Sequence, residues 1–354
     1  MQERDLRVLY SLDPLRDARW CRFLVRHPRA SIFHSAPWLE AIRRTYGYVP
    51  LVLTRAKPSE ELESGTVFSI VHTWLVRPRL VSIPFSDHVD PLIENEEDLH
   101  ALYGELQRGQ KEGRWKSMEL RPPAIPGQLL DWSPFQPGMS YVLHSINLET
   151  SLANILSRFH RDSIRRKIRK AERVGLVYEE GRSEHFLNEF YTLHVETRKR
   201  QGLPPPPMRW FRNVLECLQG QANIRIASKN GITIAAIFTL RYKDSAIYKY
   251  GCTRAKYHNL GGMPFLLWRA IQDAKESGAR EFDLGRSDPG NSGLIAFKEK
   301  FGAERSNLTY QHFPAEDGTG FYTGHWMKLA RRLFARLPKS VLVVTGKLLY
   351  PHIG

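Results

Sequence analysis

Cysteine is scarce in this 354-residue chain: Cys21, Cys217 and Cys252 are its only three. They are far apart, odd in number and form no C-x-x-C pair, which argues against a disulfide framework and a zinc site and suits a reducing compartment. The thirteen histidines include no H-E-x-x-H or comparable spacing, so no metal centre is expected. Apolar runs are short, and none reaches the roughly 18 residues of a membrane helix. Met1 to Trp20 mixes acids and bases and lacks the apolar core of a signal peptide. No tandem repeat is visible. Acidic residues stop altogether at Asp317.

What is present is a globular composition, 42% hydrophobic and 25% charged, in a chain long enough for two domains. It reads as soluble and cytoplasmic, attached at most to the inner face of a membrane. The charge balance is skewed: 52 Lys and Arg against 37 Asp and Glu give a formal net charge of +15. Such a surface favours polyanions: nucleic acid, anionic lipid or phosphorylated small molecules.

The pattern along the chain predicts a helix over 31–49, anchored by Phe33, Trp38, Leu39, Ile42 and Tyr46, with Ser35 capping ahead of Pro37. Strands are expected over Val49–Arg55, Gly65–Val76 and Arg79–Pro84, a helix over 96–113 and a strand over Lys116–Leu120. Pro122 to Gly138, with five prolines, reads as a loop, and Tyr141–Leu148 as a strand. The helix over 151–174 is the clearest, with Leu152, Ile155, Phe159, Ile164, Ile168 and Ala171 on one face. Helices over Ser183–Arg200 and Met208–Gln219 flank an extended Pro204–Pro207. Strands follow at Ala222–Ser228 and Ile232–Tyr242, joined by Asn230-Gly231, then at Ser245–Tyr250 and Phe282–Leu284. Helices are expected over Pro264–Ser277 and Asn291–Lys300. The fold class is α+β, with domains at 1–150 and 151–316 and a basic tail at 317–354. That tail sets Lys328, Arg331, Arg332, Arg336, Lys339 and Lys347 among apolar residues, so residues 326–350 are expected to meet an anionic membrane surface.

Three segments carry chemistry. Arg158 to Arg173 holds eight basic residues and two acids. Arg158, Arg161, Arg165, Arg169 and Arg173 recur at helical spacing, and such like charges repel unless an anion lies among them. Phosphate fits, because arginine binds it with two N–H donors; a solvated basic face is the competing reading. Second, a strand at Ile247–Cys252 leads through His258-Asn259-Leu260-Gly261-Gly262-Met263 into a helix, where backbone N–H groups could face an anion. CoA-dependent acetyltransferases carry Q/R-x-x-G-x-G/A in such a turn, and His258 and Met263 depart from it. Third, Asp283-Leu284-Gly285-Arg286 precedes Phe297-Lys298-Glu299-Lys300-Phe301-Gly302. Lys298 there could stabilise negative charge developing on an oxygen, or be a surface lysine beside a core phenylalanine. In the first half, Asp87 and Asp90 follow a strand and are general-base candidates, with a structural turn as the alternative.

In this order the blocks resemble the Fem-like (FemAB/FemX-type) proteins of the GNAT superfamily. The resembling motifs are Arg166–Gly175, Arg198-Lys199-Arg200-Gln201-Gly202-Leu203-Pro204, Tyr248–Ile271, and the Gly285-Arg286 and Phe297–Gly302 blocks. Phe33–Leu39 and Leu80–Phe85 extend the likeness into the first half. The resemblance implies two tandem GNAT-like domains, each a mixed sheet flanked by helices, and acyl or aminoacyl transfer to an amine by direct aminolysis. Family members add amino acids from aminoacyl-tRNA to peptidoglycan precursors, and others sit among exopolysaccharide genes; the helical arm of some tRNA-using members is absent. It also implies Phe297, Tyr250, Gly251, Gly261, Gly262, Gly285 and Arg286 at the donor, with Lys298 catalytic. Arg165, Arg166, Arg169 and Lys170 would hold donor phosphate. No cofactor is implied beyond the co-substrate, aminoacyl-tRNA or acyl-CoA. An acyl-CoA N-acyltransferase and a non-catalytic module binding membrane or polysaccharide machinery are the alternatives.

Overall fold

A computed structural model describes residues 9–73, 77–123, 135–313 and 325–352. The chain divides into two units, one of Met1–Ser140, Leu308–Gly320 and Pro351–Gly354, the other of Tyr141–Asn307 and Phe321–Tyr350.

The first unit contains β1 (Tyr10–Leu12), α1 (Ala18–Arg26), α2 (Ala36–Tyr46), β2 (Val49–Thr54), β3 (Thr66–Val71), β4 (Arg79–Val81), α3 (Glu96–Lys111) and β5 (Ser117–Leu120). Its strands lie in the order β1 to β5 and are antiparallel except for β4 beside β5. Phe68, Leu80, Leu102, Leu106 and Trp115 are buried together between this sheet and α3. As the sequence predicts, Ser35 caps α2 by accepting from the Trp38 N–H. The expected helix over 31–49 instead opens with a separate 3-10 turn, Ile32–His34. The Ser31 N–H donates to His34 Nδ1 (3.0 Å), and Nε2 lies 2.9 Å from the Asp90 carbonyl oxygen. With Nδ1 accepting and Nε2 donating, the buried ring is neutral. The strand expected to reach Pro84 stops at Val81, because Ile83 and Phe85 turn to φ of 50° and 63°. Of the strand expected over Gly65–Val76, residues 74–76 lie outside the described residues, as do 124–134 of the expected loop.

The second unit contains β6 (Gln136–Asn147, within it from Tyr141), α4 (Leu152–Arg158), α5 (Arg166–Arg173), β7 (Val177–Gly181), α6 (Glu184–Arg200), α7 (Met208–Leu218), β8 (Ala222–Lys229), β9 (Ile232–Tyr242), β10 (Ser245–Thr253), α8 (Gly262–Glu276), β11 (Glu281–Ser287), α9 (Ser292–Glu299), α10 (His325–Arg336) and α11 (Lys339–Leu349). Its strand order is β6-β11-β10-β9-β8-β7, with β10 and β11 parallel. One face is covered by a core of Phe159, Ile168, Phe265, Leu266, Ile271, Phe282 and Phe301. An aromatic cluster of Phe190, Phe211, Phe238 and Tyr250 joins α6 and α7 to the strands.

Three expectations are corrected here. The single helix over 151–174 is broken: α4 ends at Arg158, and a π turn over Arg161–Arg165 precedes α5. The break is at Phe159 and His160, whose extended backbone (ψ 137° and 126°) ends α4, and both Phe159 and Ile164 are buried. The boundary expected at 150 lies at 140/141, because β6 already pairs with β11. The chain also returns. A strand not expected, β12 (Glu304–Phe313), passes into the first unit at Leu308 and pairs antiparallel with β5, while most of the tail belongs to the second unit. Residues 314–324, which hold the expected boundary at 316, lie outside the described residues. α1 and β7 were not expected either; β7's exposed, acidic sequence lacks an apolar strand pattern.

His34 generates a stability prediction. Burial pushes its pKa from the ordinary 6.5 down to about 4. The unfolded chain therefore takes up a proton in this window and the folded one does not. Stability is full above pH 6.5, falls as the pH drops toward 4, and is level below that, a total loss of about 3 kcal/mol from this group. Urea unfolding between pH 7 and 4 should show a shallower pH dependence in His34→Gln than in the parent; equal slopes would contradict the assignment.

Candidate active site

β10 and β11 start side by side. Their ladder pairs Ser245–Ile247 with Glu281–Asp283 and goes no further. Each strand then departs from regularity. In β10, Lys249 is an extra residue between Tyr248, opposite Thr239, and Tyr250, opposite Phe238. In β11, the register against β6 shifts between Asp283 and Arg286, with Gly285 at φ 73°. A bulge reverses the faces that later side chains meet. Tyr248 thus packs on the α8 side, its hydroxyl 4.0 Å from Met263 Sδ. Tyr250 goes the opposite way, accepts from Trp210 Nε1 (3.0 Å) and joins the aromatic cluster. A Cβ on Gly251 would collide with the Tyr248 hydroxyl, so glycine is needed where the phenol folds over the strand.

Beyond the paired segment lies a cavity of ≈ 290 Å³. Gly251, Cys252 and Thr253 of β10, Ile234 and Ala235 of β9, and Gly262, Met263 and Pro264 of α8 form much of its wall. Phe297 closes one side, and Lys167, Thr197, Tyr257 and His258 complete it. Gly261, at φ 82°, lies so close to the Lys167 carbonyl that any side chain would clash, which fixes α5 against the start of α8.

The wall is cationic on one side. Burial first, then the charges of Arg200 and Lys167, hold the His258 imidazole below its ordinary range, so it is neutral at pH 7. Its Nε2 shares a hydrogen bond with Thr253 Oγ1 (2.6 Å), and Thr197 Oγ1 accepts from both the Thr253 N–H (3.2 Å) and Arg200 Nη2 (3.1 Å). The Nε atoms of Arg165 and Arg254 are buried without a hydrogen-bond partner. A buried unpaired donor costs about 1–3 kcal/mol, although neither arginine lines the cavity.

Lys298 is buried, 3% exposed, and its Nζ donates to the carbonyl oxygens of Gly285 (2.7 Å) and Arg286 (3.1 Å). It braces the kink of β11 from α9, one residue from the cavity wall at Phe297. Asp283 Oδ1 accepts from the Gly285 N–H (2.6 Å), and Arg286 stacks on Tyr141 (4.2 Å). His144 on β6 is fully enclosed, with its ring nitrogens lacking hydrogen-bond partners and the Glu299 carboxylate 4.0 Å from Nε2. Burial and then the Lys298 charge keep its pKa low. The Cys252 thiol donates toward the Phe190 and Ala236 carbonyl oxygens, and burial pushes its pKa well up. A thiol so held is no nucleophile.

Of the residues expected from the sequence, Phe297, Gly251 and Gly262 line the cavity, Gly261 shapes it, and Lys298, Gly285 and Arg286 form the brace beside it. Tyr250 faces away into the aromatic cluster. Arg166 and Arg169 are exposed on α5 and Lys170 is half-buried. Asp87 and Asp90 belong to the first unit, where each has a structural use. The Asp87 carbonyl accepts from the Tyr310 hydroxyl (2.7 Å), and the Asp90 carboxylate pairs with Arg29 (2.9 Å). Burial nevertheless raises the Asp90 pKa. Sequence reading missed Lys167, Thr197, Thr253 and Arg200, which come from different elements, and His144, which has no motif around it. Lys167 lay within the basic segment already singled out.

The chain has counterparts among known proteins. Residues 158–299 match the family model described as acetyltransferase (GNAT) domain. The chain carries a GNAT domain. The crystal structure of FemX aligns over 82% of this chain and 95% of its own, at 15% identity and a TM-score of 0.66. L-PGS from Bacillus licheniformis aligns over 92% and 98%, at 15% identity and 0.57. A tandem GNAT protein from the clavulanic acid biosynthesis pathway aligns over 86% and 98%, at 10% identity and 0.54. None of the curated proteins matches the sequence significantly. The fold is the one shared by FemX, L-PGS and the tandem GNAT protein.

The GNAT cavity yields a titration prediction. Removing the Lys167 cation favours the imidazolium, so Lys167→Ala should raise the His258 midpoint in an imidazole NMR titration. A bound phosphate group should raise it as well. A midpoint unmoved by Lys167→Ala would separate His258 from the cationic wall.

Proposed function

We propose that this protein transfers an aminoacyl group from aminoacyl-tRNA to an amine on a cell-envelope acceptor. The observation that carries the reading is the cavity walled by β9, β10 and the start of α8, with Lys167 and His258 on one side, the Arg200 charge acting on His258, and Phe297, next to Lys298, on another. The cations suit the phosphates of the donor's terminal nucleotides, and the apolar side suits its acyl end. FemX and L-PGS, a lysylphosphatidylglycerol synthetase, share the fold, and this supports aminoacyl transfer over other acyl groups. His258 and Met263, which depart from the acetyltransferase turn, support it further.

The chemistry is direct. The acceptor's amine nitrogen attacks the acyl carbonyl carbon, a C–N bond forms, the C–O ester bond to the ribose breaks, and the ribose oxygen takes up the proton the amine gives away. With the Cys252 thiol held protonated, no covalent enzyme intermediate is called for. Positioning and charge stabilisation supply the rate. Lys298 does both: it fixes the β11 kink through two carbonyls and puts a buried positive charge beside the developing oxyanion. The second reading, acyl-CoA as donor, is favoured by the likeness to the tandem GNAT protein.

Filter binding with bulk aminoacyl-tRNA should show tight binding at low salt that weakens steeply as salt rises. Lys298→Met should cut transfer by about 100-fold with circular dichroism unchanged. Absence of tRNA binding at low salt, together with thermal stabilisation by acyl-CoA, would replace the first reading by the second.

A further inference from the structure

The tail is not a loose appendage. On one face of α11, Leu342 is fully buried and Gly346 sits where any side chain would collide with the Pro205 carbonyl. Lys339 pairs with Glu196 (2.9 Å), and the Tyr350 hydroxyl accepts from Arg198 Nη2 (2.8 Å). Gly202, at the end of α6, leaves no room for a side chain against the Arg331 carbonyl of α10. The buried Pro204–Pro207 segment and the end of α6 therefore serve as the seat for this helix pair.

Among the described residues the other face has no such cover. Val341, Val344 and Leu348 stand at i, i+3 and i+7 and are 44%, 54% and 66% exposed; Leu333 of α10 is 59% exposed. With Leu349 these make up five of the ten large hydrophobic side chains exposed among the described residues, so the exposure is concentrated and not scattered. Arg331, Arg332, Arg336, Lys339 and Lys347 belong to the same two helices, and no acidic residue follows Asp317. No described helix is long and apolar enough to cross a membrane.

We propose that this face, Leu333, Val341, Val344 and Leu348 amid basic side chains, docks the protein flat on an anionic lipid bilayer. Anionic headgroups meet the lysines and arginines while the aliphatic ridge enters the headgroup–acyl boundary. A second copy of the chain is a poorer occupant, since a two-fold contact would bring one basic face against another. RNA would leave the valines and leucines unmatched. The inference is independent of the donor assigned above.

The test is co-sedimentation of the full chain with vesicles of phosphatidylcholine alone or with about 30% phosphatidylglycerol. The parent should bind only the anionic vesicles. Val344→Glu with Leu348→Glu, and separately Arg336→Glu with Lys347→Glu, should each weaken binding about tenfold or more. All four side chains are exposed, so folding should survive, as circular dichroism would check. Unchanged vesicle binding in the Val344→Glu, Leu348→Glu variant would overturn the proposal. So would a dimer of the parent that this variant dissociates, or binding to bulk tRNA lost in both variants without binding to anionic vesicles.

Discussion

One more residue in β10 than in the facing stretch of β9 changes what every later side chain meets. Lys249 is that residue. Because of it, Tyr248 packs beside Met263 and Tyr250 leaves for the aromatic cluster under α6 and α7. β11 makes its own turn at Gly285, held from α9 by the buried Lys298 ammonium. The two parallel strands thus pair over only three residues each before their registers change. The cavity lies past that point against β9 and β10, walled by Gly251 and Gly262 and closed on one side by Phe297.

Charge is arranged in the second unit with different consequences in different places. Around the cavity, Lys167 and Arg200 are close enough to lower the His258 pKa. On α10 and α11 the cations are exposed beside aliphatic side chains, an arrangement that suits lipid better than a ribose-phosphate chain. The net charge of +15 is thus composed of distinct surfaces, and a polyanion at one need not compete for the other.

Much of this was legible in the residues. The Asn230-Gly231 hairpin, the Ser35 cap and the helix over Pro264–Ser277 are local signals, and local signals survive folding. Phe297 and Lys298 were legible because their block is distinctive. What could not be read depends on long-range pairing. The break at Phe159 and His160 interrupts an apolar pattern that reads as one helix. The bulge that turns Tyr250 into the aromatic cluster is a matter of register, and an isolated strand has none. β12 exists because the returning chain finds β5. Thr197 reaches the cavity from α6, with Arg200 hydrogen-bonded behind it, and the end of that helix also seats the tail.

The central claim is that the donor's phosphate-bearing end lies in the cavity lined by β9, β10 and the start of α8. Hydrogen–deuterium exchange of the full chain, with and without aminoacyl-tRNA or acyl-CoA, addresses it most directly. The account predicts slowed exchange over 249–264 and around Phe297 with whichever donor binds. Protection elsewhere in the chain, with these segments unchanged under saturating donor, would contradict it.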